Sequence, residues 1–107
     1  MDADPSTLRR TRFAASIAAR KLFEFDKAIA QMELMLGDLS AYVQAEEKRT
    51  GITDVNHCKY PLSAKSASER SRCLRSSIHN MRVERARAHR EYQRIQQSVG
   101  AILIAAE

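Results

Sequence analysis

The chain has 107 residues, 44% hydrophobic and 29% charged, with three Phe, three Tyr and no Trp. That length allows one domain at most, the aromatic content gives little bulk for a globular core, and no apolar run approaches the roughly 18 residues needed to cross a bilayer. The formal net charge of +5 favours acidic partners.

The first 50 residues carry one hydrophobic stripe: Leu8, Thr11, Ala15, Ala18, Leu22, Phe25, Ile29, Met32, Leu36, Leu39, Val43 and Glu46. Its steps alternate three and four without a slip, which is the a/d rhythm of a coiled-coil seam. The spacing predicts a helix over about 6–50. Ser6 caps its start after Pro5, and Gly51 supplies the left-handed residue that ends it. The leading Met-Asp-Ala-Asp-Pro has no basic stretch running into an apolar one, so a cytoplasmic chain is expected, peripheral to a membrane at most.

Gly, Asn and Pro punctuate residues 51–61, so a connector is expected over about 51–62, with Asp54 capping a short turn of helix inside it. Pro61 forces Tyr60 toward an extended backbone, and Leu62 or Ser63 then opens a second helix over about 63–105. Its stripe is Ala67, Ser71, Leu74, Ile78, Met81, Arg85, Ala88, Tyr92, Ile95, Val99, Ile102 and Ala106, in the same rhythm. Of both stripes only Thr11, Glu46, Ser71 and Arg85 are polar. The fold class is therefore all-α, a long antiparallel two-helix coiled-coil hairpin forming a single unit over 1–107.

Flanking charges give the register. With Leu22 at position a, antiparallel pairing sets e beside e and g beside g, which brings Glu33 to Arg82, Asp26 to His89, Lys21 to Glu91 and Tyr42 to Arg70. Arg85 enters the seam, its stem against Phe25 and its guanidinium reaching for Glu33 or Asp26.

Residues 1–50 hold eight basic and eight acidic side chains, whereas 51–107 hold ten and five. The second helix is the basic one. No glycine-rich phosphate loop, nucleophile elbow or desolvated carboxylate pair is present, so no enzyme is expected. His57, Cys58, Cys73, His79 and His89 lack the short paired spacing of a zinc site, so neither metal nor cofactor is expected. Cys58 and Cys73 are expected as free thiols. The residues that carry function are expected on the surface. Phe13, Ile17, Leu103 and Ile104 fall off the seam at the open end and would anchor a partner, while Arg87, Arg90 and Arg94 would attract its acidic groups.

The connector is the most individual segment: Ala45-Glu46-Glu47-Lys48-Arg49-Thr50-Gly51-Ile52-Thr53-Asp54, then His57, Tyr60-Pro61 and Ala64-Lys65. It resembles the alphaproteobacterial branch of the flagellar export protein FliJ family, in which an acidic-basic run leads to a Gly-Ile-Ser/Thr-Asp turn, a His, a Tyr-Pro and a basic second helix. Cys58 stands where that pattern has an aromatic residue. The resemblance implies a cytoplasmic coiled-coil component of the flagellar type III protein export apparatus. Its implied partners are the export ATPase, the cytoplasmic domain of the export gate and export chaperones. Two other readings remain open from the residues alone: a basic hairpin that binds nucleic acid, and a structural coiled coil that forms a homodimeric four-helix bundle.

Overall fold

The structure is a computed structural model that describes residues 5–106, so the outermost residues of the 1–107 span lie outside the described residues. Two helices, α1 (Pro5–Thr50) and α2 (Leu62–Ala106), make up the regular structure among the described residues. The chain is an all-α helical hairpin. Where 6–50 was expected, α1 opens at Pro5, because proline's missing N–H is one of those that lack a partner in a first turn anyway. Where 63–105 was expected, α2 gains one residue at each end. The Pro61 carbonyl accepts the Lys65 N–H at 3.0 Å and serves as the first acceptor of that helix.

The stop signal of α1 is local chemistry. Gly51 has φ of 72°, the left-handed conformation that costs an L-residue with a Cβ about 1–2 kcal/mol, and its N–H bonds the Glu47 carbonyl at 2.8 Å. Thr50 Oγ1 donates to the Glu46 carbonyl at 3.0 Å and accepts the Ile52 N–H at 3.2 Å, so the last turn is closed from both sides. Asp54 caps a single turn, as expected, and no helix grows from it. Its Oδ1 accepts the Asn56 N–H at 3.0 Å, and two successive turns follow, His57 N–H to Asp54 carbonyl and Tyr60 N–H to His57 carbonyl, each 3.0 Å. The first is an Asx-turn bond and the other two are β-turn bonds; they satisfy the backbone within two or three residues and leave nothing to propagate a helix. His57 Nδ1 accepts the Lys59 N–H at 3.0 Å, so this imidazole holds the turn.

Tertiary contacts divide the hairpin into two compact units. One joins α1 up to Lys27 with α2 from Arg82 onward; the other is the continuous stretch Ala28–Met81. In each, a piece of α1 packs against a piece of α2. Every position of the first stripe is buried or half-buried, and of the second only Ala106, the last residue of α2, is exposed. The stripe also runs further back than its sequence expectation. Ala64 is fully enclosed and Tyr60 is 5% exposed, continuing the steps of four and three into the connector.

Within the unit that holds the connector, Ala64, Ala67 and Ser71 are all buried, so the second helix presents small side chains over its first turns. Ser40 and Glu47 of α1 line one cleft with Ser68 and Arg75 of α2, which is the e-beside-e arrangement. In the other unit Arg12 and Ala19 line a cleft with Gln96, and Ala14 lines one with Ser98, placing e beside e on one flank and g beside g on the other. The antiparallel register inferred from the flanking residue types is therefore the one adopted.

No large side chain is fully enclosed among the described residues, because each helix covers the other along one stripe only. Stability consequently resides in many half-buried contacts. Ile78, 4% exposed, is the most enclosed large aliphatic residue, and Ile78→Ala should cost about 2–4 kcal/mol in urea unfolding. Two glycines should respond in opposite directions to the same change. Gly51→Ala should destabilise by about 1–2 kcal/mol because of its positive φ. Gly37→Ala, in open space inside α1, should stabilise by up to about 1 kcal/mol. Equal signs for the two in the same denaturation series would show that backbone conformation does not set the cost.

Candidate partner-binding surface

Heptad positions b, c and f point away from the seam. Phe13 falls at f and Ile17 at c on α1, and both are exposed, at 68% and 54%. They share a shallow depression with Ser16 and Arg20, formed by α1 alone. On α2, Ile104 falls at f and Leu103 at e, with 75% and 40% exposure. Phe13, Ile17, Leu103 and Ile104 thus lie in the same unit, as expected, and all are exposed. They do not make one patch. The f positions of two paired helices face in opposite directions, so the α1 pair and Ile104 belong to separate outward faces.

The outward stripe of α2 runs Val83, Arg87, Arg90, Arg94, Gln97, Ala101, Ile104, in steps of four and three, and each of these is exposed. Its charge is lower than an Arg count suggests. Glu84 lies 3.2 Å from Arg87 and Glu91 pairs with Arg94, both one turn apart on the same helix. Such pairs form without crossing between helices, which is why Glu91 takes Arg94 and not the expected Lys21. Arg90 has no ion-pair partner among the described residues. The sequence counted these arginines correctly but not how many of them face a neighbouring carboxylate.

An ion pair crosses from helix to helix in this unit. Arg85 Nε donates to Asp26 Oδ1 at 2.7 Å and its NH2 to Oδ2 at 3.4 Å, a two-point contact. Arg85 was expected to reach Asp26 or Glu33, and Asp26 was expected to meet His89. The guanidinium wins because it is permanently charged, planar and long enough to leave the seam, whereas the imidazole is shorter. His89 Nδ1 is buried with no hydrogen-bond partner among the described residues. The hydrogen bond from Arg85, and then its positive charge, hold the Asp26 carboxyl below its usual range despite some opposing desolvation, and the same bond raises Arg85.

Cys58 and Cys73 are free and exposed. Among the described residues no group of three His, Cys, Asp or Glu side chains could hold a metal ion, and no helix is long and apolar enough to cross a membrane. The residues missed by sequence reasoning were Phe23, Arg9, Arg10 and Arg20. Phe23 is 65% exposed and the three arginines are exposed on the same outward side of α1. Reading the b, c and f positions as a group, as was done for the seam, would have found them.

Comparison of the chain with protein-family models, curated proteins and solved structures gave no match.

The Asp26–Arg85 pair carries a pH signature. A carboxyl whose folded pKa is depressed stabilises the fold above its unfolded pKa, and the contribution is lost as pH falls through the folded value. The stability gap between the native chain and Asp26→Asn should therefore stay constant from about pH 8 to pH 5 and shrink below about pH 4. Thermal melts across that range check it, and a gap independent of pH would exclude the assigned pair.

Proposed function

We propose that this chain is a noncatalytic coiled-coil adaptor of the flagellar type III protein export apparatus, linking the export ATPase to the cytoplasmic domain of the export gate and engaging export chaperones. The observation that carries this reading is the connector. The run Glu46-Glu47-Lys48-Arg49-Thr50-Gly51-Ile52-Thr53-Asp54, followed by His57 and Tyr60-Pro61, resembles the FliJ family in order and spacing. In the hairpin those residues have structural work that a sequence pattern of this kind would preserve: Gly51 ends α1, Asp54 and His57 close the turns, and Tyr60 is buried ahead of α2.

A hairpin of this kind acts by presenting outward faces. Arg87, Arg90 and Arg94, with Ile104 further along the same stripe and Leu103 beside it, give α2 a basic surface with an apolar end, suited to an acidic protein surface with a small apolar recess. Phe13 and Ile17 form a second surface on the other outward side. The reading places the protein in the cytoplasm. It disfavours nucleic acid, since Glu84 and Glu91 neutralise part of the α2 stripe and no aromatic platform accompanies it.

Pull-down with the export ATPase and the gate's cytoplasmic domain from the same cell should recover both. Arg90→Glu combined with Ile104→Ser should weaken recovery by about tenfold or more, an effect of roughly 1.4 kcal/mol, with helicity by circular dichroism unchanged. Recovery of neither partner would end this reading. Tight, steeply salt-dependent binding to duplex DNA would replace it with the nucleic-acid one.

A further inference from the structure

We propose that the outward face of α1 between Arg9 and Lys27 lies flat on a lipid surface bearing anionic headgroups. This goes beyond the adaptor reading and does not depend on it. Phe13, Ile17 and Phe23 occupy the b, c and f positions of that stretch at 68%, 54% and 65% exposure, far more open than the seam residues beside them. Arg9, Arg10 and Arg20 share those positions and are exposed too. From Pro5 to Phe23 the chain contains no acidic residue at all, and Glu24 is the only one on the face. Two aromatic rings and an aliphatic side chain, interleaved with long basic side chains on one side of a helix, are the composition of an interfacial helix. Each ring can enter the boundary between headgroups and acyl chains while the guanidinium groups reach back to phosphates, which they bind at two points.

Charge and shape select the bilayer over the other occupants. A second copy brought up to this face through the same face would set Arg9, Arg10 and Arg20 against their own equivalents, and the α2 stripe is also basic. A helical protein partner needs a groove or must provide one, and here the depression that Phe13 and Ile17 line is shallow and formed by α1 alone. A convex helical face with flanking arginines meets a planar anionic surface without either requirement. The α2 stripe does not compete, because its Arg87 and Arg94 face Glu84 and Glu91. Among the described residues no helix is long and apolar enough to cross a membrane.

The test is co-sedimentation of the full chain with vesicles of phosphatidylcholine alone or with about one-third phosphatidylglycerol. The chain should partition onto the anionic vesicles only, and the partition should fall steeply as monovalent salt rises from about 50 to 300 mM. Each of Arg10→Gln and Arg20→Gln should lower it by about fivefold. Phe13→Ser with Phe23→Ser should lower it by about tenfold or more, whereas Arg87→Gln with Arg90→Gln should leave it within about twofold. All these side chains lie outside the seam, and circular dichroism and thermal melts of each variant verify the fold. Because the chain has no Trp, Phe23→Trp supplies a single fluorophore whose emission should shift to the blue on anionic vesicles. Absence of preferential binding to anionic vesicles overturns the proposal, as does binding that survives Phe13→Ser with Phe23→Ser. An equal loss from the α2 pair would reduce the effect to general charge attraction and also overturn it. So would a dimer in solution that requires Phe13, or an acidic protein that occupies the face while vesicles do not.

Discussion

Everything in this molecule depends on one stripe per helix being covered by the other helix. Neither α1 nor α2 has a second apolar face continuous enough to bury, and an isolated helix of this composition gains little from propensity alone. Pairing removes the stripe from water, and because the residues are spaced at three and four, the covered strip follows the shallow left-handed path of a coiled coil. The strip is thin: apart from Ile29, Ile78 and Tyr60 the buried side chains are small, Ala15, Ala18, Ala64, Ala67, Ser71 and Ala88, while the Leu, Phe and Met residues of the stripes remain half open. Such a seam tolerates a charged residue if its charge can escape. Arg85 does so, with its stem in the seam and its guanidinium on Asp26 at the flank.

The same economy explains where function can lie. With one stripe used for pairing, most of the remaining described side chains face outward. What remains are two outward faces of different electrostatic character. On α2 the arginines alternate with glutamates one turn away, so the face is a laced, weakly positive surface. On the first half of α1 no acidic residue interrupts the arginines until Glu24, and three large apolar side chains stand among them. A count over residues 1–50 conceals this, because six of its eight acids lie from Glu24 onward and the other two, Asp2 and Asp4, precede α1. The docking surface proposed on α2 therefore shares no residue with the lipid surface proposed on α1, whereas Phe13 and Ile17 can serve only one partner at a time.

Much of the fold was legible in residue order. The unbroken three–four rhythm named nearly every buried position, Gly51 marked the end of α1, and the Pro61 constraint located the start of α2 to within one residue. Two things were harder to see. Tyr60 and Ala64 extend the stripe, but they lie among connector residues whose composition suggested loop, so their spacing carried no weight. Two pairings were misassigned, Asp26 with His89 and Lys21 with Glu91, because heptad letters say which residues are level with one another, not which side chain is long enough or charged enough to win a shared carboxylate. Asp26 is level with His89 and is taken by Arg85.

Residue order by itself determined that this chain forms two helices, that each has one buried stripe and that the stripes meet in antiparallel register, since periodicity and turn chemistry are local properties that any packing must respect. Only the tertiary structure decided that Phe13 and Ile17 stand apart from Ile104, that Arg87 and Arg94 have carboxylate neighbours, and that Arg85 reaches Asp26. Those outcomes depend on the direction in which each side chain leaves a paired helix and on competition among neighbours within a few ångströms.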